Sequence, residues 1–115
     1  MNQDKIKKEY CSLMLEQLKA TAACNYYSQH SIHVLEDMKS KLEEYKELQA
    51  KTDLTEEEKQ KQFTQLDELS TFLGVAQEHY KFLERMHDKA QRKLNEVEKK
   101  LASFCKRHEV EWNIE

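Results

Sequence analysis

The stretch LDELSTFLGVAQEHYKFLERMHDKAQRKLNEVEKKLASF, residues 66–104, decides the fold of this chain. Its apolar residues recur at alternating steps of three and four, which places them along one side of an α-helix. Eleven of the twelve positions in that register are apolar, and the twelfth is a histidine. Such a stripe is typical of a helix that packs against a partner helix, so it predicts a long coiled-coil helix. The positions are Leu66, Leu69, Leu73, Ala76, Tyr80, Leu83, His87, Ala90, Leu94, Val97, Leu101 and Phe104.

The composition favours helix along the whole chain. Its 115 residues include no Pro and one Gly, and 36% of them are charged. A matching apolar stripe in the first half predicts a first helix that ends near residue 51. The stripe comprises Ile6, Tyr10, Leu13, Ala20, Cys24, Tyr27, Val34, Met38, Tyr45 and Leu48.

A start signal for the second helix separates the two stripes. Thr55 and Glu58 have the spacing of a capping box, and the acidic residues 56–58 suit the positive end of a helix dipole. We therefore predict a first long helix over residues 1–51, a turn at 52–54, a second long helix over 55–109 and a tail at 110–115. All of these belong to one predicted domain.

A turn this short predicts that the two helices are antiparallel neighbours. Folding the chain there pairs positions whose numbers sum to about 107, and the two apolar stripes then coincide. The pairs include Ile6 with Leu101, Tyr10 with Val97, Leu13 with Leu94, Val34 with Leu73 and Met38 with Leu69. The predicted fold class is all-α, a long antiparallel helical hairpin (coiled coil) that dimerises into a helical bundle. A three-helix bundle, with one helix broken in a polar stretch, is the alternative.

Each helix also carries apolar residues outside this seam. They recur at steps of three and four, so each set forms a second stripe. A bend or a third helix within the chain is one way to bury them. We favour the other interpretation, in which they contact a second copy of the protein or a different helical partner. The candidate partner or dimer interface comprises Met14, Leu18, Ile32, Leu35, Phe72, Val75, Phe82 and Met86.

Charge is distributed unevenly along the chain. Residues 81–108 contain nine Lys or Arg and four Asp or Glu, whereas residues 33–58 contain four and nine. Complementarity with the helix dipoles and solubility explain much of this pattern. The basic segment also offers a face for an acidic partner or an anionic membrane surface. Its candidate residues are Arg85, Lys89, Arg92, Lys93, Lys99 and Lys100. Nucleic acid is not an expected partner, because the net charge is −3 and no basic-aromatic module is present.

The chemistry-bearing residues do not predict an enzyme. Glu84 and His87 form one Glu-x-x-His pair, whereas a di-iron bundle needs two such pairs and further inward carboxylates. Three cysteines without CxxC spacing argue against a zinc site or a disulfide framework. We expect no catalytic residue, no cofactor, no metal and no small-molecule substrate. Free thiols fit a reducing compartment, which favours a cytoplasmic location.

The C-terminal tail alternates apolar and acidic residues. Val110, Trp112 and Ile114 have no counterpart on the first helix in the predicted register, so they are a candidate docking tail. A terminal Trp that folds back on the helices is the alternative. The chain as a whole predicts a non-catalytic coiled-coil interaction module, such as a scaffold, adaptor or tether in the cytoskeleton or vesicle trafficking. A membrane-surface module that uses the basic face is the alternative.

Overall fold

The protein is a hairpin of two long helices. Its structure is a computed structural model, which describes residues 2–108. Helix α1 spans Asn2–Gln49 and helix α2 spans Glu56–His108, with no strand between or beside them in that range. The all-α helical hairpin predicted from the sequence is confirmed. The three-helix alternative is wrong over these residues, because each helix runs unbroken through the polar stretches where a break was considered. The candidate docking tail lies outside the described residues.

The chain divides into two compact units, each containing a segment of both helices. Unit 1 is Met1–Tyr27 with Arg85–Glu115, and unit 2 is Ser28–Glu84. Within unit 1 the helices are antiparallel, because contacts that move forward along α1 move backward along α2. The contacts are Tyr10 with Phe104 (ring centroids 6.2 Å apart), Glu16 with Lys93 (4.0 Å) and Cys24 with Gln91 (3.9 Å).

The seam predicted from the two apolar stripes forms the core. Every buried apolar residue among those described belongs to one of the two stripes, and the remaining stripe residues are half-buried. Val97 and Phe104 are fully buried. Small residues occur among the large ones along the seam, which lets the side chains of facing helices interdigitate. The buried residues are Ala20, Cys24, Ala76, Leu83, Val97, Leu101 and Phe104.

The turn between the helices is held by backbone and side-chain hydrogen bonds. Asp53 adopts φ of 58°, a left-handed conformation that Asp tolerates better than most residues. The side-chain amide of Gln62 donates to the carbonyl oxygen of Leu48 at 2.7 Å. The Lys51 amide donates to the same carbonyl oxygen at 3.3 Å, so Leu48 at the last turn of α1 accepts both a backbone and a side-chain bond. The turn thus ties the end of α1 to the second turn of α2.

The predicted capping box is present at the start of α2. The Glu58 amide donates to Thr55 Oγ1 at 3.1 Å, and the Thr55 amide donates to Glu58 Oε1 at 2.8 Å. Hydrogen bonding to Thr55, chiefly to its backbone amide and secondly to its side chain, lowers the pKa of Glu58 below its ordinary value of 4.5. The stabilisation from this carboxylate is therefore complete above pH 4.5 and is lost as the pH falls through the lowered pKa.

We expect Thr55→Ala to destabilise the first turn of α2. The change removes the hydroxyl that accepts the Glu58 amide, and loss of an N-cap side chain costs about 1 kcal/mol. Urea unfolding followed by circular dichroism measures the change. Thr52→Ala, in the same turn but outside the capping box, is the control and should be nearly neutral. Equal effects of the two substitutions would contradict a specific capping role.

Candidate functional site

Most of the candidate interface residues are exposed. Six of the eight have 41–66% of their surface accessible, and Met14 and Met86 are half-buried. Neither a bend nor a third helix covers them among residues 2–108. The six exposed residues are Leu18, Ile32, Leu35, Phe72, Val75 and Phe82.

Unit 2 carries two of these exposed apolar surfaces. The α2 stripe consists of Phe72, Val75 and Phe82, with His79 between the last two at the same helical spacing. The α1 stripe consists of Ile32 and Leu35, followed on the same face by Leu42, which is 43% exposed. In the heptad register the α1 stripe lies on one side of the seam and the α2 stripe on the other.

A groove that we call the histidine groove lies beside the α2 stripe. It has a volume of about 410 Å³ and is lined by both helices of unit 2. The His30 and His33 rings lie 6.4 Å apart in an edge-to-face arrangement. The groove combines an apolar wall from α2 with polar groups that can donate or accept hydrogen bonds. Its lining residues are His30, His33, Val34, Asp37, Phe72, Val75, Ala76 and His79.

A second groove in unit 2, the acidic groove, has a volume of about 440 Å³ and shares Phe72 with the histidine groove. The Lys41 ammonium lies 3.2 Å from Glu44 Oε2 and 5.9 Å from the centre of the Phe72 ring. Glu47 and Glu68 have no ion-pair partner within 4.0 Å in the described part of the chain. The lining residues are Lys41, Glu44, Glu47, Leu48, Lys51, Gln65, Glu68, Leu69 and Phe72.

Unit 1 contains a third groove, the basic groove, with a volume of about 760 Å³. All six cations of the predicted basic face are exposed, but only Lys99 and Lys100 line this groove. Lys93 instead lies 4.0 Å from Glu16, and Arg92 Nε donates to the Asp88 carbonyl oxygen at 3.5 Å. The groove is lined by Glu9, Leu13, Lys99, Lys100, Ser103, Lys106 and Arg107.

The sequence prediction missed Lys106, Arg107 and most residues of the two grooves in unit 2. A usable signal was present in the heptad register. Positions just before the first seam residue of each heptad, conventionally labelled g, face each other across an antiparallel pair. Glu16 and Lys93 occupy such positions and form the observed ion pair. His30 and His79 also occupy g positions, so the register predicts that they face each other. Both line the histidine groove.

Metal-binding geometry is not found among residues 2–108: no group of three or more His, Cys, Asp or Glu residues there could hold an ion. Cys24 is buried in the seam, and its thiol lies 3.9 Å from Gln91 Oε1. Cys11 is exposed and Cys105 is half-buried, and both are free thiols.

The residues 2–108 contain no helix that is both long enough and apolar enough to cross a membrane. Comparison of the chain with protein-family models, with curated proteins and with solved structures finds no match. The surfaces described above are therefore the basis for a functional proposal.

Proposed function

We propose that the protein is a non-catalytic helical interaction module, acting as a scaffold, adaptor or tether through self-association and binding of helical partners. The α2 stripe is the main contact. The observation that carries the proposal is the exposure of Phe72, Val75 and Phe82 at helical spacing on one face of α2.

Single exposed apolar residues are common on protein surfaces, but repeated ones on one face usually mark an interface. An amphipathic helix binds such a face with anchors spaced by three, four and seven residues. Phe72, Val75 and Phe82 have this spacing, and the histidine groove beside them supplies polar groups at the rim. Full burial of a phenyl side chain stabilises a complex by about 1.5–3 kcal/mol relative to exposure. Phe72 and Phe82 are 41% and 46% exposed, so each contributes only part of this value, and the rest of the α2 stripe must add to it.

The double substitution Phe72→Ser and Phe82→Ser should dissociate the assembly while leaving the helices formed. Both rings are partly exposed in the single chain, so their loss removes little of the core. Multi-angle light scattering at micromolar concentration should give a mass above 13.8 kDa for the native chain and the single-chain mass for the variant. Circular dichroism should show nearly the same helix content for both.

Leu15→Ser is the matched control. Leu15 is 52% exposed but lies outside both stripes, so its loss should leave the measured mass unchanged. A native chain that is monomeric at micromolar concentration would contradict self-association through the α2 stripe. A variant that keeps the native mass would show that the α2 stripe is not the contact.

A further inference from the structure

The two units carry net charges of opposite sign. Unit 1, Met1–Tyr27 with Arg85–Glu115, includes twelve Lys or Arg and nine Asp or Glu, which gives a net charge of +3. Unit 2 includes seven Lys or Arg and thirteen Asp or Glu, which gives −6. Two identical units would repel each other, whereas unlike units of two copies would attract.

The basic groove and the acidic groove are both lined by charged residues without an ion-pair partner in the described range. Lys99, Lys100 and Lys106 line the basic groove, and none of them has an ion-pair partner within 4.0 Å among the described residues. In the acidic groove Glu47, Glu68 and Lys51 also lack an ion-pair partner among the described residues, so acidic groups outnumber basic ones by one. Apolar residues also line the grooves, Leu13 in the basic groove and Leu48 and Leu69 in the acidic one. Apolar area with a complementary charged rim is the usual composition of a protein interface.

We propose that unit 1 of one copy docks on unit 2 of a second copy, with the basic groove of each facing the acidic groove of the other. The occupant of each groove is thus a second copy of this chain. This pairing rests on the self-association proposed above and specifies its orientation. A two-fold axis makes the contact reciprocal, so every dimer contains it twice. Burial of Phe72, which lines the acidic groove, accompanies the pairing.

A charge-swap experiment tests this orientation. The first variant carries Lys99→Glu and Lys100→Glu, and the second carries Glu47→Lys and Glu68→Lys. Each variant alone places like charges opposite each other at both contacts of its own dimer, so its dissociation constant should rise roughly tenfold or more. An equimolar mixture restores opposite charges at both contacts, so it should associate as tightly as the native chain.

Sedimentation velocity at low salt measures these constants, and circular dichroism verifies that each variant is folded. The control is Lys7→Glu with Lys8→Glu, which makes the same charge change in unit 1 at exposed positions outside the basic groove. Because it lowers the net charge of unit 1 by the same amount, any general loss of attraction is common to both variants, and the dissociation constant should rise less in this control than in the Lys99→Glu and Lys100→Glu variant. The native association should also weaken as the salt concentration rises, because exposed charges are screened.

The outcomes separate this inference from the proposed function. A native chain that does not self-associate contradicts the proposed function itself. Suppose instead that the native chain associates and that this association depends on Phe72 and Phe82. If the charge reversals then leave the association unchanged, or if the mixture does not restore it, only the pairing of the grooves is overturned. The Lys99→Glu and Lys100→Glu variant is also sedimented with phosphatidylserine vesicles. Loss of vesicle binding with native self-association would instead assign the basic groove to an anionic membrane surface, which also overturns the pairing.

Discussion

Replacing Leu83 with aspartate should unfold much of the hairpin. Leu83 is only 4% exposed, at a seam position of α2, so the new carboxylate would be buried without a charged partner. Burial of an unpaired charge costs several kcal/mol, a large part of the roughly 5–15 kcal/mol that stabilises a typical domain. We expect loss of most of the helical circular dichroism signal at 37 °C, together with a large fall in the melting temperature.

Leu15→Asp is the control for this prediction. The chemical change is identical, but Leu15 is half exposed and outside the seam, so the new carboxylate stays hydrated. Its melting temperature should lie close to that of the native chain. A Leu83→Asp variant that melts like the control would show that Leu83 is not in a core and that the heptad register is wrong.

The seam was predictable because its signal is periodic and local. Steps of three and four fix which side chains share a helix face, and burial of that face follows whatever the partner is. The capping box was predictable for the same reason, since Thr55 and Glu58 lie three residues apart and their hydrogen bonds need no distant partner. Predicting the antiparallel arrangement required one further inference, namely that a turn this short brings the two helices side by side.

The grooves were harder to predict because they depend on both helices at once. Phe72 was recognised as an exposed apolar residue, but its proximity to Lys41 depends on the relative rotation of α1 and α2. A shift of one residue in the register would replace the neighbours of every groove residue. The basic groove shows the same limit, since four of the six predicted cations lie outside it. Sequence spacing groups charges along one helix, whereas a groove selects those near the partner helix.

The seam and the α2 stripe differ in whether they can contact a partner. Most of the seam packs within one chain, and only its half-buried residues that line the grooves, such as Leu13, Leu48 and Leu69, remain accessible to a partner. The α2 stripe is available, and it lies next to the acidic groove through their shared residue Phe72. Apolar contact then supplies affinity, while the groove charges supply orientation and salt dependence. A partner that fits only one of these features should bind weakly or without a fixed register.

Phe104→Ala should produce the largest loss of stability among truncations in unit 1. The Phe104 ring is fully buried, with its centre 6.2 Å from that of Tyr10 and 4.5 Å from that of His108. The Arg107 guanidinium lies 6.0 Å from the same ring. Truncation removes these contacts and leaves a cavity, which costs about 3–5 kcal/mol for a buried phenylalanine. Urea unfolding followed by circular dichroism measures the loss.

Phe63→Ala is the matched control, because it removes the same atoms from a side chain that is 72% exposed. Its free energy of unfolding should change by less than about 0.5 kcal/mol, as is usual for surface substitutions. Hydrogen exchange in residues 85–108 supplies a local readout, and these amides should exchange faster in the Phe104 variant than in the control. Equal stabilities of the two variants would mean that the end of α2 does not pack on α1. The basic groove would then lack its α1 wall, formed by Glu9 and Leu13, and the proposed pairing of unit 1 with unit 2 of a second copy would lose its structural basis.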